Sequence, residues 1–306
     1  MSPNAFFLIL SPITSFYPMK KYDSLGELLI DYRTLNKMSQ LDLASLLDVD
    51  TRTIIRWEKN ETLIKPEKEK DLVEKMFIPY QVIRNLNTDN PLSVFYNPEL
   101  RTYSLSALMQ KASASWYKED LAVESDRIHF LSKDRDVEFV EDIQEVNKNL
   151  KPIKPELIKE AAKILPELNL VLHDQSGFYA GHITVLPIKY EAYIKIREQE
   201  MKEDSLSLTD LTSNFLHKPM VFYYYSMYAD TLENAYYIMN RLLGYFKKKK
   251  FKDYVFAGTT YRENKVEILR EMGLKMVWEE TIEDTTILKP VFLEGNFDMF
   301  LFGRMS

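Results

Sequence analysis

Apolar residues in the first third of the chain recur at helical spacing. Leu25, Leu28, Leu29, Tyr32 and Leu35 share one face of the segment Leu25–Asn36. Ser24, with Glu27 three residues on, supplies a capping-box start for it. A second short helix is predicted over Gln40–Leu47, opened by Ser39 with Asp42. Asp48-Val49-Asp50 then turns the chain, and Asp50 is placed to cap a third helix, Thr51–Glu58. The charged stretch "KPEKEKDLVEKMFI" predicts a fourth, with Pro66 near its start. Residues 19–86 therefore read as an all-helical domain. "NLNTDNPLS" reads as a linker, and 87–125 as a connecting segment in which Leu105–Leu121, with Trp116 and Tyr117, predicts a helix.

From residue 126 the pattern changes to α/β. "DVEFVED" is expected to be a strand, followed by helical runs at Ile143–Leu150 and Pro155–Leu165. "LNLVLHD" and "FYAGHITVLPI", separated by "QSG", predict a hairpin. "KYEAYIKIREQEMKED" predicts an amphipathic helix, with Glu198 and Glu200 on its solvated face, and "PMVFYYYSMYA" a long strand before the helix Leu232–Phe246. Strand "DYVFAGTT", helix "NKVEILREMG" stopped by Gly273, strand "LKMVWEET" and a final strand "NFDMFLFGRM" complete the expectation for 126–306.

Composition narrows the chemistry. A chain of 306 residues with 45% hydrophobic content suits two domains with a sizeable core in the larger. A net charge of −6 excludes a wholly basic nucleic-acid coat but not a local DNA-facing surface. With no cysteine, disulfides, zinc–thiolate sites and thiol nucleophiles drop out. His129, His173, His182 and His217 are scattered without metal-ligand spacing, so no metal site is expected. Residues 1–18 carry a short apolar run, Ala5–Leu10, with no preceding Lys or Arg, which fails the signal-peptide pattern. They are expected to be a disordered leader, with Met19 as an alternative start, and a cytoplasmic location is expected. The run Lys247–Lys250 reads as a helix end.

Residues 24–60 resemble the Cro/repressor (XRE) helix-turn-helix family. Ser39-Gln40, Leu43-Ala44, Leu46-Leu47, Val49, Thr53-Ile54 and Trp57-Glu58 carry the resemblance. It implies that the helix starting at Thr51 enters the major groove of double-stranded DNA, with a homodimer as the binding form. On that basis Gln40 contacts a phosphate, Thr51, Arg52 and Arg56 face the groove, Thr53 touches backbone, and Lys59 and Lys37 are phosphate partners. Arg52 has the chemistry to reach guanine O6/N7 or a phosphate. Asp48 stands where the family has glycine, and Asp tolerates the left-handed turn better than most residues.

Residues 126–306 resemble the GNAT N-acetyltransferase fold, through element order and two signatures, "DQSGFYAGHITVLPI" and "VFAGTTYRENKVEILREMGLKMVWEE". The resemblance implies a central mixed, mostly antiparallel sheet and acetyl-CoA or another acyl-CoA as ligand. Its glycine-bearing pyrophosphate loop is not recognisable in "ADTLENAYYIMNRLL", where Asp230 and Glu233 sit instead, and its general-acid tyrosine position holds Leu269. Catalytic and cofactor-binding residues are therefore unassigned. The expectation is a DNA-binding transcriptional regulator whose second domain senses a small-molecule ligand or mediates assembly. The alternative is an active acyl-CoA-dependent N-acyltransferase. A cleft between the family's fourth and fifth strands, and the state of the helix start at Leu232, would separate the two.

Overall fold

The structure is a computed structural model. It describes residues 19–98, 100–106, 114, 126–146, 152–215, 219–261, 263–280 and 289–303. The expected leader, most of the expected helix at 105–121, and His217 lie outside the described residues. The chain divides into two compact units, Met1–Ala107 and Leu108–Ser306.

The first unit begins with strand β1 (Lys20–Tyr22). It continues with helices α1 (Leu25–Leu35), α2 (Gln40–Leu47), α3 (Thr51–Glu58), α4 (Pro66–Met76) and α5 (Tyr80–Leu86), then strands β2 (Val94–Asn97) and β3 (Thr102–Ser104). The caps explain the helix starts. Ser24 accepts from the Glu27 amide, while the Glu27 carboxylate reaches back to the Asp23 N–H, one residue earlier than a reciprocal box requires. Ser39 and Asp42 form the full box. Asp50 accepts the Thr53 N–H at 2.8 Å. At the far end of α2, Asp48 adopts φ 51°, ψ 58°, a left-handed stop. Lys68 and Lys75 of α4 donate to the Leu47 and Leu46 carbonyls at 2.7 and 3.1 Å, where helix-end carbonyls lack intrahelical partners. Leu28, Leu43, Leu47, Ile54 and Leu72 are fully buried. The unit is not purely helical. β1 pairs antiparallel with β2, and β2 with β3, so part of the stretch read as a connector forms a small sheet.

The second unit contains β4 (Ile128–Phe130), α6 (Asp134–Val146), α7 (Pro155–Ile164), β5 (Asn169–His173), β6 (Tyr179–Ile188) and α8 (Tyr190–Arg197). Then follow β7 (Met220–Ala229), α9 (Leu232–Lys249), β8 (Tyr254–Thr260), α10 (Glu263–Glu271), β9 (Lys275–Glu279), β10 (Val291–Gly295) and α11 (Asp298–Phe302). The seven strands are ordered β4-β5-β6-β7-β8-β10-β9. Only β7 and β8 pair in parallel among the described strands, so the sheet is mixed and mostly antiparallel, as expected. Both faces are covered, which explains the unbroken apolar runs. Leu172, Val185, Phe222, Phe246 and Phe256 lie in one core cluster, and Val140, Leu157, Leu186, Tyr223 and Phe292 in the other.

Three sequence expectations are corrected. "DVEFVED" is helical, within α6, because Val137, Val140 and Ile143 are buried at three-residue spacing, and the Asp136 carboxylate caps the Lys133 N–H at 3.1 Å. The opening strand is instead the short β4. Within "NFDMFLFGRM", Asp298–Phe302 is helical (α11), ended by Gly303 in a left-handed conformation, and the last described strand is β10. The helix begun at Tyr190 stops at Arg197, and a 3-10 turn, Glu203–Ser205, follows. Among the described residues no helix is long and apolar enough to cross a membrane.

Candidate nucleic-acid interface and strand cleft

Helix α3 divides sharply by burial. Ile54 is 0% and Trp57 7% exposed, whereas Arg52 and Arg56 lie on the exposed side. Thr51 and Thr53 are partly exposed, and Lys59, the C-cap, is exposed. The buried face is held by charge as well as packing. Glu58, 8% exposed, accepts the Arg33 Nε–H at 2.8 Å and the Gln40 side-chain amide at 2.6 Å. One carboxylate thus ties the last turn of α1 and the first residue of α2 to the end of α3. Gln40, expected at a phosphate, spends one N–H on Glu58, and the Thr53 hydroxyl donates to Asp50 at 3.0 Å.

Two residues that sequence reasoning passed over complete this arrangement. Asn60, at φ 55°, accepts the Gly26 N–H at 3.0 Å and donates to Ser24 at 3.1 Å. A Cβ at Gly26 would stand 2.5 Å from the Glu58 carbonyl oxygen, so α1 approaches the end of α3 backbone to backbone. The unexplained glycine inside a helical pattern was the available signal.

In the second unit the parallel pair β7–β8 runs from Met220 opposite Tyr254 to Tyr224 opposite Gly258. Beyond that point the strands carry no mutual pairing, and a cleft opens, lined in part by Gln144, Glu203, Tyr224, Ser226, Tyr261 and Lys265. It holds about 30 Å³, room for one or two waters. Lys265, from α10, lines it. Its ammonium donates to the Met227 carbonyl at 3.0 Å and the Tyr224 hydroxyl at 3.2 Å. Glu203 is partly exposed as a residue, but its carboxyl is enclosed and accepts the Tyr223 O–H at 2.9 Å. Burial pushes that carboxyl up to about 8, against the smaller opposing effect of the Tyr223 hydrogen bond. Below the cleft a buried chain links Tyr179 to His182, His182 to Ser226 at 2.7 Å, and Gln144 to Ser226. Burial, assisted by the nearby Lys265 charge, holds His182 down at about 3, so its imidazole is neutral.

At the start of α9 the chain supplies its own oxygens. The Thr231 hydroxyl caps the Asn234 N–H at 3.1 Å. Asp230, 3% exposed, accepts the Asn234 side-chain amide at 2.6 Å, and burial raises its carboxyl to about 7. Arg127 holds the other end of the Asn234 amide at 2.8 Å. Leu269 is buried, in the place where the GNAT resemblance would put an acid. The Asn234 N–H and the Asp230 carboxyl at the start of α9 are thus both engaged within the chain.

Residues 29–82 match the helix-turn-helix family model HTH_3. The sequence matches none of the curated proteins. Solved structures similar to the chain include Arabidopsis thaliana Naa50, bound to a CoA-containing bisubstrate analogue, at 10% identity. That similarity covers 56% of this chain and 99% of that one, with a TM-score of 0.35. A putative acetyltransferase from Acinetobacter baylyi is similar at 13% identity, 59% and 96% coverage and TM-score 0.35. A mutant spermidine N-acetyltransferase from Vibrio cholerae is similar at 14% identity, 57% and 98% coverage and TM-score 0.35.

Proposed function

We propose that the first unit binds double-stranded DNA through α3, and that the chain is a one-component transcriptional regulator working as a homodimer. The observation that carries this reading is the division of α3. Arg52 and Arg56 are free of the core while Ile54, Trp57 and Glu58 anchor the helix beneath them. In this reading Thr51, Arg52 and Arg56 face base edges, and Gln40, Thr53 and Lys59 position the backbone through the hydrogen-bonding capacity their internal contacts leave. Selection of bound sequences from a random duplex pool tests it. The wild type is expected to enrich one motif. Arg52→Ala is expected to lose about 1–3 kcal/mol at the base pair it reads, relaxing preference there. A pool with no enrichment overturns the reading.

The second unit is read as the controller of the first, sensing a ligand or mediating assembly. Support comes from the α9 start, where Thr231 and Asp230 take up the donors of Asn234, and from the cleft, where Lys265 donates to the Met227 carbonyl. A second reading, N-acyl transfer, is favoured by one observation. Glu203, with a carboxyl near 8, stands in the cleft with Tyr261, as a proton acceptor for an amine would. Calorimetry with acetyl-CoA separates the two. The regulator reading expects no heat of binding to the wild type at high micromolar concentration, and saturable binding would favour transfer.

A further inference from the structure

A second, wider cleft of about 940 Å³ lies at the β4 edge of the second unit, lined in part by Arg127, His129, Lys133, Asp136, His173 and Asp174. Neither reading above uses it. His129 on β4 pairs with Val171 on β5, which makes His173, two residues along β5, its diagonal neighbour on the same sheet face. We propose that His129 and His173 form a two-nitrogen site for a divalent transition metal of the zinc and copper class.

The spacing of the rings carries the proposal. Their centroids are 5.3 Å apart, with planes at 57°. With zinc–nitrogen bonds of about 2.0–2.1 Å, two imidazole centres sharing one tetrahedral ion sit roughly 5 Å apart. A second observation is independent of the first. His173 Nδ1 is buried and has no hydrogen-bond partner, and the residue lines the cleft. The donor set decides the class of metal, because imidazoles suit zinc, copper and nickel rather than magnesium or calcium. Among the described residues no three histidines, cysteines or carboxylates already stand together as ligands. Water completes the shell.

The site is tested on the full-length chain, without a histidine tag, by zinc calorimetry and copper electron paramagnetic resonance. The expectation is one ion per chain, with hyperfine structure from two nitrogens. His129→Gln, an exposed position that leaves the fold intact, and His173→Gln should each weaken binding by about tenfold to 100-fold, the loss of a chelating partner. His217→Gln should leave it unchanged. Absence of zinc and copper binding to the wild type overturns the proposal. So does binding that survives His129→Gln, or binding abolished by His217→Gln. Thermal unfolding of each variant without metal shows whether it retains its fold, and His129→Gln keeps the test decisive if His173→Gln does not.

Discussion

Glu203 carries a titration that the fold must accommodate. Its carboxyl is raised from 4.5 to about 8 by burial, so the folded state holds a proton that the unfolded chain releases. Stability therefore falls as pH rises between about 4.5 and 8, the sign expected when the native state binds more protons. Glu203→Gln should flatten that slope. The variant is expected to be more stable than wild type by about 1–3 kcal/mol at pH 8 and nearly equal to it at pH 4.5, measured by urea unfolding at both values. Asp230, raised to about 7, adds a slope of the same sign that this substitution leaves in place. The sequence points to Arg52 and Arg56 through its resemblance to a helix-turn-helix, and the structure leaves both exposed. The sequence does not show Glu203, which reads as one more acid on a polar helix face. Only contact with Tyr223, twenty residues on, encloses it.

Helix ends and crossings set the geometry of the first unit. Asp48 holds the α2–α3 turn in the left-handed region at φ 51°. Asp48→Gly should raise stability by roughly 0.5–1 kcal/mol, since glycine meets no Cβ clash there. It also removes a negative charge beside the proposed DNA face, so binding should become tighter, and a filter-binding titration checks it. Gly26→Ala should act oppositely. Its methyl would meet the Glu58 and Trp57 carbonyl oxygens at 2.5 and 2.7 Å, and backbone cannot swing aside as a side chain can. A loss of about 1–3 kcal/mol or more is expected in thermal unfolding. Most helices of this unit were legible because caps and apolar period agree. β4 and α6 were not, because a three-residue edge strand has too few positions to show alternation. In α6, Val137 with Phe139 suits a period of two and Val137 with Val140 a period of three, until the buried Ile143 decides it.

At the scale of the whole molecule, each unit has its own core and its own candidate chemistry. If DNA recognition lies wholly in α3, a fragment of residues 1–107 should select the same motif as the full chain. Competition of the two for one labelled duplex gives the affinity that the second unit adds through assembly. The change of hydrophobic period near residue 126 announces two halves of different class, although the compact units part earlier, at Ala107. The closure of the β7–β8 cleft is not announced in this way. It depends on a lysine from α10 meeting a carbonyl exposed only because two strands part.

The anchoring of Glu58 has a consequence for genetics. If the chain represses a promoter, a screen for derepressed mutants should return two phenotypes. Changes at Arg52 would give a well-folded protein at normal abundance that no longer recognises its operator. Changes at Glu58 would release Arg33 and Gln40 together and leave buried polar groups unpaired. They should appear as temperature-sensitive alleles, with lost repression following lost protein.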